Sequence, residues 1–509
     1  MSDYGSMHVY ARGRIVHNSK SKNIYDSTLS LLVIMQLETI ETTHKEKPQV
    51  SKRDRGRRVW SLTASEEIVL KQCTAHYFKL WGYDQKLSLK DIENPKTFVS
   101  SLEASGNGRI GHLTKSIFMD CDTDDLNDVV EPIPPELRRS FSSVYDMEVW
   151  LEGTSTNGEF ISVERKDSNS SNKPDLKDIH PKLRRYNAGG LQRQFITCLR
   201  NDLPDNLLLR FVTANKFKVV PTIEMGAKTL SWRGKSHPVD SWLVSGDAEP
   251  SLNNEKPQFV SAFKNGQVYV RGVDKKGCPI CNIQVKIHYR QDCPDRDFER
   301  LVCVYIEWMR LMVSAFQDDV DTGTILFDMT DMSLKNLDLA FVKFAATAFN
   351  YKYPECINLI IIHNAPMVFY LFWKLIKSWV GPDLEARIKF TRTYQDLTEF
   401  INPDNIPKRL GGEDDYEYHY IEPTLENSAK KPIDSRHSGL REERKEQLML
   451  WIVVTVQWLE AQTSKDSLKY LKQKVKLGLA LAKNYNKLDP YYRFRGICDR
   501  LGVLDKLKY

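Results

Sequence analysis

The sequence predicts an α/β protein built on a mixed, mostly parallel sheet, and three observations support that fold class. From about residue 297 onward, helix-like and strand-like segments alternate at the scale of βαβ units, which favours parallel strands. Leu359–Ile362 is a short β-branched apolar run, typical of a fully buried strand. Two strand-like runs on either side of Gly277 predict an antiparallel hairpin at one edge of the sheet.

The N-terminal half is predicted to be helical or irregular. Residues 1–52 show no sustained periodicity, so we expect them to be disordered. Thr63-Ala-Ser-Glu66 is a capping box that should open a helix reaching about Leu80. A polar linker is expected at 153–178, and residues 179–242 follow a helical pattern, with a long helix after Pro221 that reaches Trp232.

The C-terminal half carries the sheet. We expect hairpin strands at 267–273 and 280–288, then helix 297–316, strand 324–328, helix 336–350, strand 358–363, helix 366–380, strand 387–391 and helix 394–401. Residues 442–509 are predicted to be helical. Within them, 448–459 are apolar at ten of twelve positions, a length that suits a core helix better than a membrane span.

Composition narrows the class of protein. The 509 residues are 41% hydrophobic, yet no apolar run is long enough to span a bilayer and no signal peptide is recognisable, so we expect a cytoplasmic protein. The nine cysteines are scattered, as in a reducing compartment. A net charge of +6 is too balanced to indicate a nucleic-acid partner. The basic end is 462–509, with 12 Lys and Arg against 4 Asp.

Motifs for catalysis or cofactor binding are weak. GNGRIG at 106–111 matches a dinucleotide-binding pattern but follows a poor candidate strand, and RGKS at 233–236 resembles the end of a P-loop but indicates a helix terminus. Cys278 and Cys281 could hold zinc or simply pack. His363 could be a general base, although a histidine that closes a buried strand is more often structural. We therefore predict no enzyme, cofactor or metal.

The helix that begins after Pro366 is unusually apolar. Its clearly polar side chains, Lys374, Lys377 and Ser378, fall on one narrow stripe, whereas a helix covering one face of a core needs an apolar arc of only about 100°. Two interpretations fit: a helix packed between two protein layers, or a lid that faces a bound apolar ligand on one side and a membrane on the other. The apolar side chains are Phe369, Leu371, Phe372, Trp373, Leu375, Ile376 and Trp379.

An ordered set of short motifs resembles the CRAL-TRIO (Sec14-like) lipid-binding family over roughly residues 190–423. The set comprises LLRFVTANKF ending at 217, the hairpin turn GVDKKGCPI, the strand ending in Asp328, Tyr353-Pro354-Glu355, Asn364-Ala365-Pro366 and Ile406-Pro407-x-x-Leu410-Gly411-Gly412. The Gly56-Arg57 pair, the helix opened by Thr63 and the C-terminal helices are similar to fungal phosphatidylinositol transfer proteins of the Csr type within that family.

This resemblance implies an architecture and a site. The sheet would be the floor of an apolar lipid pocket under a gate helix carrying Phe369, Phe372, Trp373, Ile376 and Trp379. The implied organisation is an N-terminal extension at 53–152, a helical CRAL-TRIO unit at 179–245, the lipid-binding domain at 256–423, a linker at 424–441 and a C-terminal helical extension at 442–509. Lys216, Glu355 and Arg387 would bind the lipid headgroup. Asn215 and Leu384 depart from the arginine and threonine of the family pattern.

The implied function is to bind a single phosphatidylinositol and transfer it between membranes, as a cytoplasmic protein that docks transiently through the gate helix and the basic C-terminal segment. Exposing about thirty acyl methylenes to water costs on the order of 24 kcal/mol, which a covered pocket avoids. Phosphatidylcholine should not bind, because the positions that hydrogen-bond it in relatives are Val270, Cys281, Gly323 and Ile325. The alternatives are a carrier or sensor of squalene or a sterol, and a lipid-regulated scaffold whose terminal extensions bind proteins.

Overall fold

A single five-stranded sheet organises the region from residue 268 to residue 391 in the computed structural model, which describes residues 58–83, 85–101, 175–313 and 320–504. The strands follow chain order across the sheet: β1 (Val268–Val273), β2 (Pro279–Gln284), β3 (Gly323–Asp328), β4 (Ile357–His363) and β5 (Ile388–Thr391). β1 and β2 are antiparallel, and the other neighbouring pairs are parallel. The predicted mixed, mostly parallel sheet is confirmed.

The helices before the sheet begin at the predicted capping box. In α1 (Ala64–Trp81), the Glu66 carboxylate accepts a hydrogen bond from the Thr63 N–H at 2.8 Å. The next helices are α2 (Leu89–Glu93), α3 (Ala188–Leu199), α4 (Pro204–Ala214), α5 (Val219–Lys235), α6 (Val239–Ser245), α7 (Ala248–Leu252) and α8 (Pro257–Lys264). α5 begins before Pro221 and not after it, because proline is tolerated in the first turn, where an N–H has no intrahelical partner.

The helices between the parallel strands match the predicted alternation with shifted ends. They are α9 (Asp295–Met312), α10 (Leu339–Thr347), α11 (Met367–Val380) and α12 (Pro382–Glu385), and α13 (Tyr394–Thr398) follows the last strand. α10 continues into a π-helical turn at Ala348–Lys352, a feature that often marks functional positions. Gly381 has a φ of 75°, which favours glycine and separates α11 from α12. The second hairpin strand ends at Gln284, earlier than the predicted residue 288.

The C-terminal region is more helical than its sequence indicated. α14 (Leu425–Ser428), α15 (Ser435–Leu459), α16 (Ser464–Tyr492) and α17 (Ile497–Arg500) follow the sheet. α15 therefore begins inside the stretch predicted to be a linker at 424–441. Asp434 explains the early start, because its carboxylate caps the helix by accepting from the His437 N–H at 2.8 Å and from the Tyr491 hydroxyl.

Two large hydrophobic cores hold these elements. The first contains side chains from α1, α3–α5, α15 and α16, so the N- and C-terminal extensions pack onto the helical unit. The apolar 448–459 segment lies in this core, as predicted. The second core contains one face of the sheet with α9–α11, and a smaller cluster with α13 covers the other face. The division into domains stays a prediction.

The remaining sequence motifs have simple structural outcomes. RGKS lies at the predicted helix terminus, because α5 ends at Lys235, whereas 106–111 lies outside the described residues. Cys278 and Cys281 are both buried, and the Cys278 thiol lies 3.5 Å from the Thr322 hydroxyl. His363 is buried, bonds the Thr391 hydroxyl at 2.9 Å and has a pKa lowered by that burial. No helix in the described ranges is long and apolar enough to cross a membrane.

Candidate functional site

A partly open cavity lies between the sheet and helices α9 and α10, and the empty space in it, counted out into the solvent at its mouth, is about 1020 Å³. Its walls are mainly apolar. Side chains that line it include Val268, Ile283, Phe298, Leu301, Val302, Tyr305, Ile306, Met309, Val313, Ile325, Phe327, Phe341, Ala345, Phe349 and Ile357.

One end of the cavity is charged. Arg210 on α4 reaches across to the start of the strands and donates to the main-chain carbonyls of Glu355 and Asp321, both at 2.9 Å. Asp202 lies 3.6 Å from the Arg210 Nε and 3.8 Å from a guanidinium nitrogen of Arg310. These residues line the cavity where β3 and β4 begin, so a bound amphiphile would place its polar group at this end.

Two of the three predicted headgroup residues meet at the same end of the sheet. The Arg387 guanidinium donates to the Glu355 carboxylate and to the main-chain carbonyl of Ile357, which lines the cavity. The side chains are only 17% and 8% exposed, so water screens the pair weakly. Because β4 and β5 are parallel neighbours, the loop before β4 and the loop before β5 come together there.

The third predicted residue is brought near this pair but is bonded elsewhere. The Lys216 ammonium lies 3.6 Å from the carboxylate of Asp383, which is on α12, four residues before Arg387. Both side chains are well exposed, at 62% and 45%. Lys216 is therefore accessible to a ligand that approaches from solvent, whereas Glu355 and Arg387 face the protein interior.

The backbone is strained at the predicted headgroup residues. Lys216, Phe217 and Glu355 have φ values of 53°, 57° and 59°, in the left-handed region that few residues other than glycine adopt. Such strain costs about 1–3 kcal/mol per residue and clusters at binding sites, where the surrounding structure holds it.

The predicted gate helix, α11, lies one layer away from the cavity. Phe369 and Ile376 are buried, while Phe372, Trp373 and Trp379 are half-buried. The Trp373 ring packs edge-on against Phe390 of β5, with centroids 5.0 Å apart. Among the described residues that line the cavity, none belongs to α11.

The sequence predicted α10 as a helix at 336–350 but not its role as a cavity wall, which it supplies through Phe341, Ala345 and Phe349. α10 and its π-helical turn connect to the gate helix, because the Asn350 amide donates to the Trp379 carbonyl at 3.0 Å. The apolar run at 339–349 was the available signal. Its pattern does not distinguish a helix that lines a cavity from a helix in a solid core.

Comparisons with known proteins agree with this architecture. Residues 263–412 match the CRAL/TRIO domain. The chain is 33% identical over 456 residues to "Phosphatidylinositol transfer protein CSR1" of Eremothecium gossypii, covering 88% of this chain and 98% of that protein. It is 31% identical over 448 residues to "CRAL-TRIO domain-containing protein C3H8.02" of Schizosaccharomyces pombe, covering 88% and 92%.

A more distant relative shares only the central region. "Sec14 cytosolic factor" of Schizosaccharomyces pombe is 28% identical over 223 residues, which is 41% of this chain and 75% of that protein. The match to the Eremothecium protein, in contrast, covers nearly the full length of both chains. With its mostly parallel sheet and apolar cavity, this chain belongs to the CRAL-TRIO family, in the branch of fungal Csr-type phosphatidylinositol transfer proteins.

Proposed function

We propose that this protein binds one phosphatidylinositol in its apolar cavity and transfers it between membranes as a carrier without catalytic activity. The observation that carries the proposal is the Glu355–Arg387 pair, nine-tenths buried on its acidic side and adjacent to the charged end of the cavity. An apolar volume next to fixed polar groups matches an amphiphile. The name of the Eremothecium relative agrees with this ligand.

The polar groups suit an inositol phosphodiester. Arg387 presents a planar fork that can hold two phosphate oxygens, and Glu355 can accept hydrogen bonds from inositol hydroxyls. Lys216 would exchange its exposed contact with Asp383 for the headgroup, at little cost because exposed ion pairs contribute only about 0–1 kcal/mol. Leu384, which replaces the family's threonine, is buried and offers no hydroxyl.

The cavity wall argues against phosphatidylcholine. Cys281, Gly323 and Ile325 line the cavity but carry no hydroxyl, and Val270 is buried beside them. A serine at position 323 would also meet the methyl group of Met309. The hydroxyl of Tyr305, which also lines the cavity, is already bonded to the Val268 carbonyl at 2.5 Å. The side chains at these four positions would therefore offer phosphatidylcholine no hydroxyl group.

The surface of α11 suits a cytoplasmic protein that touches membranes during exchange. Met367, Leu371 and Leu375 follow one another along the helix and are 44%, 51% and 45% exposed. Lys374 and Lys377 lie on the same exposed side, where they can meet lipid phosphates. Opening would move α10 together with α11, because Asn350 joins the two helices.

Lipid transfer between vesicles tests the proposal. We expect the wild type to move labelled phosphatidylinositol and not phosphatidylcholine, and Arg387→Ala or Lys216→Ala to lose most phosphatidylinositol transfer. Arg290→Ala and Lys275→Ala, exposed sites away from the cavity, are the controls. Equal transfer of phosphatidylcholine would refute the selectivity. Mass spectrometry that finds only a sterol or squalene in the purified protein would refute the ligand.

A further inference from the structure

A line of lysines marks the outer face of α16, the long C-terminal helix. Lys465, Lys469, Lys472 and Lys476 form this lysine stripe. At 100° per residue they fall within an arc of about 60°, and at 1.5 Å per residue they extend over about 16 Å. Lys465 and Lys469 are exposed, and Lys472 and Lys476 are half-buried. The stripe is therefore a narrow, continuous row of positive charge.

Among the residues that the structure describes, none forms an ion pair with the lysine stripe. In this part of the chain, Lys469 has only the ring of Tyr470 at 5.7 Å. The carboxylate of the neighbouring Asp466 accepts a hydrogen bond from the hydroxyl of Thr463, the N-cap residue, at 2.7 Å, and the Asp466 N–H donates to the same hydroxyl at 3.1 Å. Opposite charges three or four residues apart stabilise a helix, and among the positions at that spacing from the four lysines only Asp466 is acidic.

The stripe works against the stability of the fold. Like charges three and four residues apart on a helix repel one another, and the positive end of the helix dipole disfavours Lys465 in the first turn. The opposite face of α16 is firmly fixed, because the buried Lys474 ammonium lies 2.7 Å from Asp205 and 3.6 Å above the Trp458 ring. The fold thus holds an unfavourable row of charge rigidly toward solvent, which indicates an external partner.

We propose that the lysine stripe is an electrostatic docking surface for an anionic lipid bilayer, separate from the apolar surface of α11. All four residues are lysines, which are flexible point charges, whereas sites for single phosphates or nucleic acids favour the arginine fork. Rows of lysine on a helix attract anionic lipid headgroups without needing a fixed geometry. The stripe would hold the protein at anionic membranes whatever ligand its cavity contains.

Sedimentation of the full chain with vesicles tests this docking surface. The probes are phosphatidylcholine vesicles with and without phosphatidylserine, at low and high salt, and they contain no phosphatidylinositol. The stripe variant replaces all four lysines with glutamine. Its matched control removes the same charge from exposed lysines elsewhere: Lys90→Gln, Lys177→Gln, Lys235→Gln and Lys275→Gln.

We expect the wild type and the control to bind phosphatidylserine vesicles more tightly than pure phosphatidylcholine vesicles, with the difference lost at high salt. The stripe variant should lose on the order of fivefold in affinity per lysine replaced. The urea midpoint of the stripe variant should equal or exceed that of the wild type, because the repulsion among the four lysines is removed.

Equal losses in the stripe variant and the control would overturn the proposal, as would a wild type that ignores phosphatidylserine. Binding to single-stranded RNA that depends on the stripe, without vesicle binding, would assign the surface to nucleic acid instead. Since the vesicles lack phosphatidylinositol, failure of the lipid-transfer proposal leaves this result unaffected.

Discussion

Removing Arg387 takes an ion-pair partner from a buried carboxylate, and the size of the effect follows from the burial of that carboxylate. Glu355 is 8% exposed and Arg387 17% exposed, so Arg387→Ala removes a cation that lies next to a nearly dehydrated negative charge. Breaking a buried pair in this way costs about 3–5 kcal/mol. The Ile357 carbonyl also loses a donor. We expect the free energy of unfolding to fall by about 3–5 kcal/mol, a large part of the 5–15 kcal/mol typical of a domain.

Urea unfolding followed by circular dichroism measures this loss of stability. A double-mutant cycle shows how much of it comes from the interaction between Arg387 and Glu355. Glu355→Gln removes the buried negative charge that loses this ion-pair partner in Arg387→Ala. The double variant should therefore be more stable than Arg387→Ala alone. The coupling energy between the two sites should exceed about 1 kcal/mol. Arg290→Ala, an exposed arginine, should change stability by less than about 0.5 kcal/mol.

A loss below about 1 kcal/mol for Arg387→Ala would contradict the reasoning. That value is typical of solvent-exposed ion pairs and would mean that water reaches the Glu355 carboxylate. Additivity of the two substitutions would contradict it equally, because the guanidinium and the carboxylate would then not depend on one another.

Three further variants test the cavity, the membrane surface and the first core. Ala345→Trp should fill the cavity and lower several-fold the amount of copurifying lipid, which mass spectrometry measures. An unchanged amount of lipid would mean that the ligand binds elsewhere. The double variant Leu371→Glu, Leu375→Glu should transfer lipid between vesicles about tenfold more slowly, because two half-exposed leucines can no longer enter the bilayer. Its urea midpoint should change little. An unchanged transfer rate would mean that α11 does not contact the membrane. Burial lowers the pKa of Lys71 to about 7, whereas the unfolded chain titrates near 10.4. Between about pH 7 and 10 the Lys71 amine is protonated in the unfolded state but not in the folded state, so raising the pH favours the folded state. The free energy of unfolding of the wild type, measured in urea, should therefore rise relative to that of Lys71→Met by up to about 1.4 kcal/mol per pH unit. A difference between the two proteins that does not depend on pH would contradict the lowered pKa.

Several features of the fold could be predicted because neighbouring residues determine them. The capping box at Thr63 fixes a helix start through bonds within four residues, and the β-branched run at 359–362 can only be a buried strand in this context. The alternation of helices and strands sets the parallel sheet, since βαβ connections give parallel neighbours. The ordered motifs were sufficient to identify the family.

The helix ends and the role of α10 could not be predicted in the same way. The start of α15 at Ser435 depends on a hydrogen bond that the Tyr491 hydroxyl donates to the Asp434 carboxylate, and these two residues are 57 positions apart in the chain. The wall formed by Phe341 and Phe349 looks in sequence like any apolar helix. The five gate residues were assigned by resemblance, and only packing shows that they lie behind α10.

The sequence by itself determined the local elements, their order and the residue types available for a lipid site. Tertiary structure alone decided that Glu355 and Arg387 pair, that Lys216 lies against Asp383, and that the terminal helices complete one core with the helical unit. The physical reason is the distance along the chain between the residues that determine each feature. Helix caps and strand patterns depend on neighbours a few residues away, whereas a cavity and a buried ion pair exist only where segments distant in the chain exclude water together.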